Sequence, residues 1–245
     1  FTFRSREFEQ MEIEYFVDSK DWEKSFEDFR AETKKWLAEI GLDSGKIHEL
    51  EVPDGERAHY SNRTIDFEYD FPFGRKELYG LAYRTDFDLA NHARESGVPL
   101  EYEGFIPHVI EPSFCLDRIF LALLCEAYTK DEMGGEKRTY LKLSPKIAPV
   151  KVAVFPLLRN KPALVEKARE VYKILKKEFS AVEFDDNGNI GKRYRRQDEI
   201  GTPFCVTIDF DSLEKGDATV RARDSGKQER VKIADLTNYI KEKSN

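Results

Sequence analysis

The chain has 245 residues, of which 40% are hydrophobic, 36% charged and 13% aromatic. That composition excludes a disordered chain and leaves room for one large domain or two ordinary ones. No run approaches the roughly 18–20 apolar residues of a membrane-spanning helix, and a net charge of −7 does not by itself point to nucleic acid, although a local basic surface in an acidic protein can hold a phosphate backbone.

The opening stretch "FRSREFEQMEIEYF", residues 3–16, alternates apolar and charged positions as a strand does. A chain that opens in mid-strand suggests a fragment. "SKDWEKSFEDFRAETKKWLAEIGL" (Ser19–Leu42) spaces Trp22, Phe26, Phe29, Trp36, Leu37 and Ile40 for an amphipathic helix that stops at Gly41. "RTIDFEYDFPFG" alternates Ile65, Phe67, Tyr69 and Phe71 and predicts a strand closed by a Pro-Gly turn. "KELYGLAYRTDFDLANHARESG" continues as strand, then a short helix from Asp86. "HVIEPSFCLDRIFLALLCEAY" reads as a strand, a turn at Pro112 and an apolar helix from about Leu116.

After Tyr128, "TKDEMGGEKRTYLKLSPKIAP" is polar and rich in Gly and Pro, the composition of a linker. Beyond it "VKVAVFPLL", "AVEFDD" and "PFCVTIDF" read as strands. Helices at "KPALVEKAREVYKILKKEF" and "NIGKRYRRQDEIG" separate them, and a hairpin turning at Asp224–Gly226 and a helix from about Ala234 follow. Strands alternating with helices imply a mainly parallel sheet flanked by helices. The domain boundary is expected near Lys146, giving domains 1–145 and 146–245. Cys115, Cys125 and Cys205 are odd in number and lack C-x-x-C spacing, so a disulfide framework or structural zinc is not expected, and a reducing cytoplasm fits.

Three stretches carry chemistry. In the opening one, guanidiniums grip phosphates bidentately and an aromatic such as Phe8 can sandwich a base. Carboxylates two apart on one strand face, Glu12 and Glu14, can jointly receive an ammonium group; a plain ion-paired surface strand has the same composition. In "EPSFCLDRIFLALL", Arg118 at a helix N-terminus is electrostatically misplaced unless an anion binds there, while a merely solvated Arg is the common alternative. In "GRKELYGLAYRTDFDL", Glu77 suits Mg²⁺ on nucleotide phosphates, and an Arg84–Asp86 surface pair is the plain reading beside it.

Together these stretches resemble class II aminoacyl-tRNA synthetases. "FRSREFEQMEIEYF" looks like the second half of their motif 2 and "EPSFCLDRIFLALL" like motif 3. "HYSNRTIDFEYDFPFGRKELYGLAYRTDFDL" resembles the glycyl-tRNA synthetases of α2 dimeric type, and "NIGKRYRRQDEIGTPFCVTIDFDS" their anticodon-binding domain. The resemblance implies an α+β catalytic region, a class II antiparallel sheet with helices, followed by an α/β anticodon-binding domain with a mixed five-stranded sheet. It implies ATP-dependent attachment of glycine to its cognate tRNA through glycyl-adenylate, with ATP and Mg²⁺ as cofactors, a homodimer, a cytoplasmic location and no membrane. By resemblance, ATP would lie against Phe3, Arg4, Ser5, Arg6, Glu7, Phe8, Glu77, Leu78, Cys115, Leu116, Asp117 and Arg118. Phe8 would stack on adenine, Glu77 would act through metal or ribose, and Arg118 would grip the γ-phosphate; Arg118 and Glu77 are the catalytic pair. The glycine pocket would be bordered by Phe8, Glu9, Gln10, Met11, Glu12, Arg84, Glu111, Pro112, Ser113, Phe114 and Cys115. Glu12 would face the ammonium, and Glu111 and Ser113 would read the amino group. No metal is expected from the protein beyond a Mg-ATP contact by Glu77.

The chain departs from the pattern at Cys115, where the family usually has Gly. Motif 1 and the first half of motif 2 would lie upstream of Phe1, so the chain as given is not expected to adenylate glycine alone. In the C-terminal region Lys192, Arg193, Arg195 and Arg196 on one helix, and Arg221, Arg223, Lys227 and Arg230 on the hairpin, are expected to hold tRNA phosphates. The rival readings are a catalytically silent synthetase-like subunit that binds nucleic acid and a sister synthetase for His, Thr or Pro. The first would be expected to have lost Glu12, Glu77, Ser113 and Arg118.

Overall fold

The computed structural model describes residues 2–244. The first strands are short: β1 is Gln10–Glu12 and β2 is Tyr15–Val17. Residues 3–9, expected to extend the opening strand, instead form turns and bends. Alternation alone does not make a strand; these side chains are mostly exposed, and no neighbouring segment offers them a ladder among the described residues. The segment is instead tied to the start of a helix, because Glu9 N donates to Asp117 Oδ2 at 2.9 Å and Leu116 N donates to Glu9 O at 2.9 Å.

Helix α1 (Trp22–Glu39) buries Phe26 and Leu37 and ends at Gly41, whose φ of +101° suits glycine. Then come β3 (Ile47–Glu51), β4 (Arg63–Phe71), β5 (Gly74–Thr85), α2 (Phe87–Ser96), β6 (His108–Cys115) and α3 (Leu116–Ala127). The sheet order is β1-β6-β5-β4-β3, antiparallel in each pairing, with β2 also on β6. In β4, Ile65, Phe67, Tyr69 and Phe71 enter a core shared with residues of α1 and α3. The other face of the sheet carries polar side chains and is open.

No turn occurs at Pro112; β6 runs straight through it. Its missing N–H costs no ladder bond, because that side of the residue faces Ile13, between the end of β1 and the start of β2. Ile13 N donates to Pro112 O there at 3.0 Å.

The chain divides into two compact units between Cys125 and Glu126. The expected linker belongs to the second unit and is a hairpin, β7 (Tyr128–Met133) and β8 (Glu136–Leu141), turning at Gly134 and Gly135. Both glycines have positive φ, +63° and +82°, as a two-residue hairpin turn matched to strand twist requires. Then follow β9 (Val152–Pro156), α4 (Pro162–Glu178), β10 (Val182–Phe184), α5 (Ile190–Ile200), β11 (Phe204–Ile208), α6 (Phe210–Lys215), β12 (Asp217–Ala222), β13 (Gln228–Lys232) and α7 (Leu236–Ser244). The sheet is mixed, ordered β10-β9-β11-β12-β13, with β9 parallel to β10 and β11 and the rest antiparallel. Val152 and Val154 pack with Leu164, Val171 and Leu175 of α4, while Ala153 and Phe155 pack against Ile190 and Tyr194 of α5. A strand buried on both faces reads as a continuous apolar run, which is how β9 reads.

Candidate active site

The open face of the first sheet is built in cross-strand rows. Glu12 pairs with Ser113, Ser113 with Gly80 and Gly80 with Asp66; in the next row Glu111 pairs with Ala82 and Ala82 with Thr64. All of these line one cavity of about 580 Å³. Glu77 and Gly80, three apart, would fall on opposite faces of a regular strand. A register shift between Phe67 and Glu68 makes Leu78 the extra residue, so Leu78 and Tyr79 both enter the core and Glu77 and Gly80 both line the cavity.

One end of the cavity is acidic. Glu12, Glu14 and Glu111 each place a carboxylate oxygen within 4.8 Å of the others. Gln10 Nε2 donates to Glu12 Oε1 at 2.8 Å and to Ser113 Oγ. Arg84 Nη1 donates to both oxygens of the buried Glu111 at 2.8 Å, and its Nε donates to Asp88 Oδ2 at 2.8 Å. Burial and then the neighbouring Glu111 carboxylate push Glu14 above the usual carboxylate range, with Arg84 opposing. Three carboxylates against one guanidinium leave a nook short of positive charge, with the size and sign to receive an ammonium group.

The other end is cationic. Arg118, in the first turn of α3, pairs through Nη1 with Glu77 Oε2 at 3.1 Å, and its guanidinium lies 5.0 Å over the Phe3 ring. Its buried Nε has no hydrogen-bond partner among the described residues. Arg4, Ser5, Phe8 and Cys115 also line this cavity, Phe8 with 57% of its surface exposed.

The cavity thus brings together Phe3, Arg4, Ser5, Phe8, Gln10, Glu12, Glu77, Leu78, Arg84, Glu111, Ser113, Cys115 and Arg118. Its lining does not include Arg6, Glu7, Glu9, Met11, Pro112, Phe114, Leu116 or Asp117. Strand alternation separates Phe114 from Ser113, and its ring packs on Trp36 and Tyr79 in the core. Asp117 and Glu9 act through the backbone tie at the start of α3. Arg84 pairs with Asp88 and Glu111, not with Asp86 as in the plain surface-pair alternative.

Sequence reasoning passed over Asp66, Arg57 and Tyr60, all of which line the cavity. Asp66 is raised to about 6, first by burial and then by Glu77 and Glu68, with Arg118 opposing. Its position opposite Ile65 and Phe67 in the period-2 pattern was the available signal. Arg57 and Tyr60 lie in a loop without periodicity.

In the second unit several expected phosphate contacts are structural. Arg193 is only 1% exposed and donates to the carbonyl oxygens of Pro156, Asp186 and Gly188. Arg221 is buried on Asp198, and Arg223 donates to Gly201 O and Leu143 O. Charge in a sequence does not reveal whether a backbone carbonyl or carboxylate waits for it. Arg195, Arg196 and Arg230 pair with Glu136, Asp185 and Asp209, while Lys192 and Lys227 are exposed.

Residues 151–243 match the protein-family model described as "Anticodon binding domain". The chain thus carries a segment similar to anticodon-binding domains. More narrowly, it is 47% identical to the glycine–tRNA ligase of Lysinibacillus sphaericus over 98% of its own length and 53% of that protein. It is 49% identical to that of Lachnospira eligens over 99% of this chain and 53% of the relative, and 47% identical to that of Thermobifida fusca over 99% and 55%. Over nearly its whole length, then, the chain is a homologue of glycine–tRNA ligases, and it spans about half the length of the curated relatives it matches.

Proposed function

We propose that the protein carrying this chain attaches glycine to its cognate tRNA through glycyl-adenylate, using ATP and Mg²⁺, as a cytoplasmic homodimer. The observation that carries this reading is a single cavity lined by Glu12, Glu111 and the guanidinium of Arg118 on α3, with Glu14 clustered beside Glu12 and Glu111. In adenylation a glycine carboxylate oxygen attacks the α-phosphorus, the P–O bond to the β-phosphate breaks, and pyrophosphate leaves. That step needs placement and cationic support of the phosphates more than a general base. The nook would hold the ammonium, leaving the carboxylate free to attack, and Arg118 would neutralise charge on the leaving phosphates. Mg²⁺ on the phosphates supplies Lewis-acid charge neutralisation when bound. Glu77, and Asp66 with no hydrogen-bond partner among the described residues, offer the hard carboxylate oxygens it prefers. Glycine has no side chain to grip, so selection rests on caging the ammonium and denying room to a larger side chain. The second unit would hold the tRNA anticodon region, and among the cations singled out there the exposed Lys192 and Lys227 fit phosphates.

The test is glycine-dependent pyrophosphate exchange by the full-length protein. Glu12→Gln should raise KM for glycine by about tenfold and leave KM for ATP within about twofold, since a weakened charge-assisted hydrogen bond is worth about 1.5 kcal/mol. Equal effects on both substrates would sink the ammonium cage. Acid pH should act on the same nook. Because Glu14 titrates above the ordinary carboxylate range, falling pH protonates it and removes one ammonium acceptor. KM for glycine should therefore rise on acidification, and Glu14→Gln should flatten the glycine profile. A pH profile identical in wild type and Glu14→Gln would exclude Glu14 from glycine binding.

A further inference from the structure

The acidic nook depends on Arg84, which supplies the hydrogen bonds to both oxygens of Glu111. The guanidinium has more to fix it than its two carboxylates. Arg84 Cζ lies over the Tyr60 ring, 3.9 Å from its centroid, a distance at which the planar, weakly hydrated guanidinium makes a cation–π contact. Tyr60 is half-buried and lines the cavity.

The loop of residues 52–62 that carries Tyr60 is pinned to the strands bearing the site. Val52 N donates to Thr64 O at 2.9 Å, and Asn62 N donates to Tyr83 O at 2.8 Å, one residue before Arg84. The Ser61 hydroxyl bonds Thr64 Oγ1 at 2.7 Å and donates to Arg63 O at 2.8 Å, and Arg57 closes the loop on the carbonyl of Asn62. Next to Tyr60, the His59 ring makes edge contacts with Tyr60 at 5.4 Å and with Phe87 at 5.3 Å. Phe87 begins α2, which also carries Asp88, the second carboxylate on Arg84. The loop and α2 thus both hold one guanidinium. The Tyr60 hydroxyl has no hydrogen-bond partner among the described residues, so the ring face is what Tyr60 contributes.

We propose that Tyr60 is a positioning residue of the amino-acid pocket: by its cation–π contact with Arg84 it holds Glu111 in the orientation that receives an ammonium group. This rests on the reading that Glu12, Glu14 and Glu111 bind the glycine ammonium. Hydrogen bonds to Asp88 and Glu111 hold the guanidinium through its edge nitrogens and leave its faces uncovered. The ring covers one face, and a support that fixes a binding group lowers KM without touching substrate.

The test compares wild type, Tyr60→Phe and Tyr60→Leu of the full-length protein in pyrophosphate exchange. Tyr60→Leu should raise KM for glycine about tenfold and leave KM for ATP within about twofold. Tyr60→Phe, which keeps the ring, should match wild type within about twofold for both. Arg84 is the cation that opposes the upward push on Glu14 from Glu12, Glu111 and burial. Loosening Arg84 in Tyr60→Leu should therefore move the acid limb of the glycine KM profile to higher pH, a change that a general loss of packing would not produce. Should Tyr60→Leu fail to fold, Tyr60→Met offers a longer, flexible apolar chain without the ring and carries the same expectation. The clamp is overturned by an unchanged glycine KM, by equal rises for glycine and ATP, or by Tyr60→Phe behaving like Tyr60→Leu. Exchange by wild type that ignores glycine would overturn the glycine reading itself and the clamp with it.

Discussion

Replacing Arg118 with Ala is expected to lower kcat for glycine-dependent pyrophosphate exchange by about 10²–10³-fold, the cost of removing one preorganised donor from a developing charge. A guanidinium in the first turn of α3 sits where the helix dipole disfavours a cation, and Arg118 keeps a buried Nε without a hydrogen-bond partner among the described residues. The exposed Glu77 carboxylate beside it neutralises part of the charge, but metal-bound phosphates would draw Glu77 to the cation and leave Arg118 to grip the anion. Because the side chain lines the cavity and not the core, Arg118→Ala should shift the thermal midpoint by no more than a few degrees. Arg118→Lys keeps the charge and loses the planar fork, so it should recover only part of the rate. A kcat within about twofold of wild type in Arg118→Ala would remove the phosphate role.

The parts of this site that were legible in the sequence are those set by local periodicity. The alternation of Ile65, Phe67, Tyr69 and Phe71 placed β4 in the core, and the apolar stripe placed α1 and α3. The motif residues at positions 12, 77, 84, 111, 113 and 118 do meet in one cavity. What was illegible depends on pairing between distant segments. Residues 3–9 alternate like a strand but have no ladder, and the Leu78 bulge that turns Glu77 toward the cavity leaves no mark in composition. Gly134 and Gly135 looked like a linker because glycine marks both flexible chain and tight hairpins; the strand alternation on either side was the better guide. Tyr60 under Arg84, and the carbonyl cage around Arg193, exist only once the chain is folded.

Asp198 in the second unit should be among the most costly residues to remove. It is 2% exposed, and its carboxylate accepts from Arg221 Nη1 and Nη2 at 2.8 and 2.9 Å and from Arg138 Nη1 at 2.9 Å. Arg138 extends the network to Asp131 and to the carbonyl of Arg223, so one carboxylate ties hairpin β7–β8 to α5 and β12. Assembling such a cluster yields little net stability, because desolvation offsets attraction. Removing one partner is different, since it strands buried charge. Asp198→Ala leaves Arg221 with no carboxylate and Arg138 with Asp131 alone, and should cost the second unit about 3–5 kcal/mol. Asp198→Asn keeps the shape and an acceptor oxygen and should cost less. Trp22 and Trp36 are the two tryptophans and both lie in the first unit, so tryptophan fluorescence would miss the change. Hydrogen exchange at the amides of β11, β12 and α5 reads it directly, as faster opening of the most protected positions. A loss below about 1 kcal/mol would mean that water reaches both guanidiniums once the carboxylate is gone, and the network would then be a surface feature and not the fastening of this unit.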